Sequence, residues 1–174
     1  MAGVRGVSGA GRGLLVVGAA ALLASLLVPS LTWFTVSGTK TELPAGTYTG
    51  IQTAQLLSGL APAPYTLFGY LAWAAYALLF VAVTAALAVA GMGRRTRNVG
   101  TASILLLLLE GALLYVTAYG LSLPASGAPA VLSVGYGFVA AVAGAALIEA
   151  GGRIPGRVPM AVGMPATTMN QENP

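Results

Sequence analysis

Few groups in this 174-residue chain are able to do chemistry. Glu110 stands apart from the rest as the single carboxyl group in the apolar run 101–121, TASILLLLLEGALLYVTAYGL. A helix rises about 1.5 Å per residue and a bilayer's hydrocarbon core is about 30 Å thick, so a helix over this run carries Glu110 near the midplane. On a helical wheel Ser103, Leu106, Leu107, Glu110, Leu114 and Thr117 share one face, with a hydroxyl about two turns to either side of the carboxyl. That face is expected to point into a bundle, and Ser103, Glu110 and Thr117 form the candidate intramembrane polar site. Three chemistries fit it. A carboxyl at this depth can carry protons or line an ion path. It can instead stay neutral and hydrogen-bond to a hydroxyl of a neighbouring span, with Thr84 and Tyr136 as the expected partners. Or it can meet a cationic or polar group of another subunit. No Lys, Arg or His lies at membrane depth elsewhere in the sequence, so a neutral, protonated Glu110 is expected.

The rest of the composition removes most other chemistry. There is no Cys and no His, and the acidic residues are all glutamates, at 42, 110, 149 and 172. Thiolate and imidazole metal sites, disulfides, His-activated nucleophiles and paired Asp residues holding Mg²⁺ are thereby excluded. No catalytic residues, no metal and no cofactor are expected. An intramembrane enzyme would have to work with Glu42, Glu110, Glu149 and hydroxyls alone. The sequence is 57% hydrophobic and only 7% charged, against about 25% charged in soluble domains, so the solvent for most of its surface is lipid.

The elements that position Glu110 follow from the same apolar pattern. Residues 1–13, rich in Gly with Arg5 and Arg12, read as a flexible basic leader. Residues 14–34 form the first span, closed by Trp33 and Phe34 at the membrane interface, with Pro29 loosening its outer turn. A cleaved signal peptide, with an apolar region from Leu14 to Val28, is the rival reading of this segment. Residues 35–65 form a small extracytoplasmic cap. Within it TVSGTKTEL alternates as a strand, Pro44-Ala45-Gly46 turns, Thr47 to Ile51 returns as a second strand, and Gln52 to Leu60 has helical spacing. A plain well-packed loop is the alternative. The second span is 66–89, with Tyr70 and Trp73 as interface anchors near its outer end. An Arg-rich loop, 90–100, leads to the third span at 101–121. A short outer turn, 122–131, precedes the fourth at 132–149, closed by Glu149, and a flexible tail occupies 150–174. The fold class expected is an all-α membrane protein, a four-helix bundle with a cap between helices 1 and 2.

Charge placement sets the orientation. The net charge of +4 suggests nucleic acid at first sight, but the basic residues lie in ones and threes beside apolar runs. Arg5, Arg12, Arg94, Arg95, Arg97, Arg153 and Arg157 fall on one face and Lys40 alone on the other, which places both termini in the cytoplasm of a multi-pass protein of the plasma membrane. Arg94, Arg95 and Arg97 also suit anionic lipid, at about 1 kcal/mol per charge, although topology alone accounts for them. In the fourth span Gly137, Ala141 and Ala145 recur every four residues beside Ala140 and Gly144, a spacing that lets helix backbones approach closely. Packing inside the bundle is expected ahead of a dimer face, so a homo-oligomer stays open. The glycines of GAGRG, 9–13, lack the preceding strand a phosphate loop needs. Tyr70, Trp73, Tyr76, Tyr115 and Tyr119 read as belt and packing residues.

The Trp-terminated first span (SLTWFTVSG), the Thr-Gly step in the outer loop (TYTG) and the inner turn GRRTRNVG together resemble the small four-span proteins of actinobacteria, among them the tryptophan-associated transmembrane protein family. That resemblance implies no catalytic activity. Claudin-like four-helix proteins share the architecture, but the paired Cys of their outer loop are missing here. The expectation is a non-enzymatic accessory or scaffold subunit of a larger cell-envelope complex, in contact with membrane lipid and not with nucleic acid. The alternative is a small transporter or proton-coupled channel subunit using Glu110.

Overall fold

The computed structural model describes residues 6–37, 44–59, 65–93, 98–120 and 131–155. They form, in chain order, α1 (Gly9–Leu27), β1 (Phe34–Ser37), β2 (Gly46–Tyr48), α2 (Gly50–Ser58), α3 (Tyr65–Met92), α4 (Val99–Gly120), β3 (Val131–Val134) and α5 (Tyr136–Arg153). Three helical stretches are long and apolar enough to cross a membrane: Gly9–Leu27, Thr66–Met92 and Val99–Thr117. Each carries large apolar side chains on its outer surface, such as Val17, Val81 and Leu105, as expected of helices solvated by lipid on one side and by protein on the other. The 18-residue α5 is not among them. Its Gly and Ala content and its closing Glu149 and Arg153 dilute the apolar run.

The four long helices close a ring in which α1 packs on α3 and α5, and α4 packs on the same two helices. The tightest seam is α1 against α5. A Cβ at Gly18 would stand 2.6 Å from the Gly144 carbonyl oxygen, and one at Gly151 would stand 2.7 Å from that of Gly11. The pairing of Gly11 with Gly151 and of Gly18 with Gly144 makes the helices antiparallel. The seven-residue repeat on both strands of the seam keeps it facing inward over two full turns. Gly137, Ala141, Gly144 and Ala145 are all buried, and the Gly137 Cα faces the Leu31 and Thr32 carbonyls.

Several boundaries differ from those the sequence suggests, for local reasons. Helix α1 begins at Gly9, inside the segment read as a flexible leader, because the Ser8 side chain accepts from the Gly11 amide as an N-cap. It ends at Leu27 rather than Phe34. Pro29 forces Val28 out of the helical region, and Val28 is extended at φ −82°, ψ 115°. The all-α expectation is corrected by a sheet of order β2-β1-β3. The strands β1 and β2 pair antiparallel with Phe34 opposite Tyr48, within the cap as anticipated. The third strand comes from Val131, assigned to the outer turn, and the first three residues assigned to the fourth span, with Phe34 opposite Val134 and Ser37 opposite Val131. VLSV is apolar enough to read as membrane, yet its register on β1 satisfies backbone groups that would otherwise end unpaired. The helix α5 then starts at Tyr136 and runs past 149 to Arg153.

Helix α2 opens with a capping box: Thr49 accepts from the Gln52 amide while the Gln52 side chain accepts from the Thr49 amide. At the opposite end of the bundle Val7 donates to the Gly93 carbonyl and bridges to Pro155, so the start of α1, the end of α3 and the end of α5 meet. The outer turn up to residue 130, the tail from 156 and Arg94, Arg95 and Arg97 lie outside the described residues.

Candidate functional site

The period of 3.6 places Glu110 where the sequence suggests. Ser103, Leu107, Glu110, Leu114 and Thr117 are all wholly buried along one face of α4, while Leu106 sits at the edge of that stripe, only partly buried. Glu110 is enclosed by the bundle at 0% exposure.

The polar site does not assemble as a set. Ser103 donates its hydroxyl to the Val99 carbonyl at 2.8 Å, and Thr117 donates to that of Leu113 at 2.7 Å. Both hydroxyls are thus tied to their own helix, about 10 Å along the axis from Glu110. The expected partners are absent as well. Thr84 is exposed and donates to the Val81 carbonyl, and Tyr136 is 88% exposed at the start of α5. Neither Glu110 carboxyl oxygen has a hydrogen-bond partner among the described residues. Tyr76 of α3, a buried phenol on a neighbouring helix, does not donate to Glu110 either. Its hydroxyl donates elsewhere, to the Leu26 carbonyl at 2.9 Å. A carboxylate anion in this position lacks the paired donors that a buried charge requires.

Tyr76 belongs to a second constellation that composition did not reveal. The last carbonyls of a helix have no partner within it, and in lipid that deficit is costly. At the end of α1, Val28 donates to the Ala24 carbonyl, the Trp33 indole N–H to that of Ser25 at 2.9 Å, and Tyr76 to that of Leu26. Trp33 is therefore not the lipid-facing anchor the sequence suggests. It is 0% exposed and edge-on to Phe138 with ring centroids 5.7 Å apart. A Cβ at Gly50 would lie 2.8 Å from its indole, so the glycine of TYTG is the floor on which the tryptophan of SLTWF rests. Two motifs separate in sequence meet in space. Tyr70 and Trp73, also expected as anchors, are exposed near the start of α3, at 72% and 38%.

At the opposite end, Glu149 of α5 crosses to α4. One oxygen accepts from the Thr101 amide in the first turn of α4 at 2.9 Å, and the other pairs with Arg153. Gly100 permits this approach, since a Cβ there would collide with the Glu149 nitrogen. Partial desolvation pushes the Glu149 carboxyl up, but the Thr101 amide and the Arg153 guanidinium outweigh it and hold the group below the usual carboxylate range.

Between α3 and α4 the outer surface opens as an apolar groove of about 520 Å³, lined by Leu78, Val81, Ala82, Ala85, Val99, Ala102, Leu105, Leu106 and Leu109. It lies on the outer surface of the bundle and its lining does not include Glu110, which remains sealed.

Fold and site together define the class: a small, mostly helical protein with, among the described residues, three helices of membrane-spanning length and composition, a small sheet, and one enclosed carboxyl. No family model matches the chain, and no curated protein matches it.

Proposed function

We propose that this protein is a non-enzymatic accessory or scaffold subunit of a larger cell-envelope membrane complex. In this reading α5 up to Ile148 serves as a fourth span, both termini face the cytoplasm, and the chain is a distant member of the tryptophan-associated transmembrane proteins. The observation that carries the proposal is the sealing of Glu110. The one intramembrane carboxyl is enclosed on every side, while the Ser103 and Thr117 hydroxyls of its stripe are bonded to their own backbone. A pathway residue needs a water-accessible neighbourhood lined by further polar groups. What the bundle offers instead is a cap locked onto its end by Trp33, a platform suited to protein contacts.

A second reading, a subunit of a small transporter or proton-coupled channel, has one observation in its favour: both Glu110 oxygens lack partners. Such a group is costly to keep without a use.

The test is gentle detergent extraction of the native membrane, sizing on a native gel, and mass spectrometry of what migrates with the chain. Migration in fixed proportion with larger proteins supports the accessory role. Migration as a monomer or small homo-oligomer sinks it and turns attention to Glu110→Gln in a proton-flux assay. Loss of flux with normal accumulation then establishes the second reading.

A further inference from the structure

Glu110 stands in the middle of α4 but near one end of the bundle. Helices α4 and α5 lie in antiparallel register, for a Cβ at Gly100 would collide with Glu149 and one at Gly111 would meet the Phe138 ring. Glu110 is thereby brought within about one turn, or about 5 Å, of the level at which α5 begins at Tyr136. The contact of Gly18 with Gly144 brings the end of α1, at Leu27, to the same level. At and beyond it lie the exposed Pro29, Ser30, Ser133 and Tyr136, and the sheet with β2 and β3 at its edges. Lipid does not solvate irregular backbone or open sheet edges, so water and headgroups begin about one turn from Glu110 on the sheet side. In the opposite direction the exposed Asn98 is about 18 Å away along α4, and the buried Leu107, Val83 and Ile148 fill the interior. The short way out is toward the sheet.

What closes that way is aromatic. The Phe34 and Phe138 rings lie with centroids 5.0 Å apart, and both reach Gly111, the residue next to Glu110: a Cβ there would stand 3.7 Å from Phe138 Cζ and 3.8 Å from Phe34 Cζ. Phe34 opens β1, and Phe138, only half-buried, lies in the first turn of α5. Turning two rings is a far smaller and faster motion than parting packed helices. We infer that Glu110 exchanges with water from the sheet side alone, through a gate formed by Phe34 and Phe138. Its two unpartnered oxygens are the groups that entering water would satisfy. This gives the transporter reading its side of entry and rests on that reading for a use of the site. Its test measures access and not flux, so absence of one and absence of the other are separate results.

The sequence has no Cys, so Glu110→Cys introduces a single thiol at the buried position. The experiment is labelling of this full-length variant in membrane vesicles by an impermeant, sulfonated methanethiosulfonate added to one face at a time. Ser133→Cys, at an exposed position of β3, marks the sheet side, and Asn98→Cys, exposed before α4, marks the other. Glu110→Cys should label slowly, and only from the face at which Ser133→Cys labels. Adding Phe138→Ala should speed that labelling by roughly fivefold to tenfold, as the loss of one aromatic pair allows, with near-ultraviolet circular dichroism otherwise that of a folded chain. Labelling from the face at which Asn98→Cys labels, or from both faces alike, overturns the single side. An unchanged rate in a folded Phe138→Ala overturns the gate. If Phe138→Ala does not fold, Phe34→Leu, which thins the same gate from the strand, is expected to speed labelling, and no change there overturns the gate. No labelling from either face, with the gate intact or thinned, overturns the access itself.

Discussion

Two helix pairs in this bundle are built on opposite plans. The α1–α5 pair brings backbones together at Gly11, Gly18, Gly144 and Gly151, and the end of α1 has its carbonyls met one by one by Val28, Trp33 and Tyr76. The α3–α4 pair leaves an open groove on its outer side and, on the inner side of α4, a carboxyl with neither oxygen satisfied. Lipid tails give helices no hydrophobic drive toward each other, so association depends on close packing and on satisfied polar groups. By that measure α1 and α5 form the rigid half of the molecule and α4 the half held more loosely. It follows that α1 is an integral wall of the bundle. A mature chain lacking it, as a cleaved signal would leave, would strip α5 of its closest partner.

The largest predicted effect comes from breaking the rigid pair. Gly144→Leu places its Cβ 2.7 Å from the Gly18 carbonyl oxygen and 2.8 Å from the Leu22 nitrogen, backbone atoms that have no way to yield. Overpacking of this kind costs about 3 kcal/mol or more, and thermal unfolding in detergent should show the loss as a chain that barely accumulates or melts far below the unaltered one. The same substitution at Gly91, where a Cβ meets nothing within 4 Å, should leave the melting point nearly unchanged. Equal effects at both glycines would remove the distinction between the two plans.

Trp33→Phe comes next. It keeps much of the apolar volume but removes the indole N–H, leaving the Ser25 carbonyl buried without a donor. A loss of about 1–3 kcal/mol is expected, the cost of one orphaned buried polar group with a small cavity added. A loss within experimental error would return Trp33 to the role of a lipid-facing anchor.

Glu110→Met should move stability the other way. It replaces an unpartnered carboxyl with an apolar side chain of similar length, so the melting point should rise, by an amount corresponding to about 1–3 kcal/mol. A fall instead means that Glu110 has found a donor in the membrane, and that the looser pair is less deficient than its geometry implies.

What the sequence carries and what it hides divide along the same line. Three helices of membrane-spanning length and the Ser103–Glu110–Thr117 stripe are legible because length and a 3.6 period depend only on the segment itself. Whether Glu110 has a partner is not, since that depends on where Thr84 and Tyr136 point from other helices. Trp33 is misread because a tryptophan after an apolar run has the same composition whether it sits in the interface or folds back onto Gly50. The strand β3 is hidden inside VLSV for a similar reason: four apolar or small residues gain strand character only from the register of β1. The capping box at Thr49 and Gln52 was within reach of the sequence, since Thr-x-x-Gln ahead of a helical period is its signature. The glycine seam was half visible, as α5 shows its small residues but not that Gly11 and Gly18 answer them.

The smallest predicted effect lies where the two halves join, at Glu149. Its carboxylate accepts from the first turn of α4 while paired with Arg153 on its own helix. The Arg153 side chain is 69% exposed, so the ion pair itself is weakened by solvent, and most of the effect belongs to the bond at the positive end of α4. Glu149→Gln should therefore cost about 1 kcal/mol or less. The carboxyl is held below its ordinary range in the folded protein, so its contribution is present above the unfolded value and disappears as pH falls through the folded one. Melting points measured from neutral pH downward should fall in the acid range, and Glu149→Gln should flatten part of that fall. Arg153→Gln isolates the other partner. If it removes as much of the acid dependence as Glu149→Gln, the ion pair dominates; if it removes little, Glu149 acts mainly as a cap that α5 lends to α4, the one fixed point in the more loosely built half of the bundle.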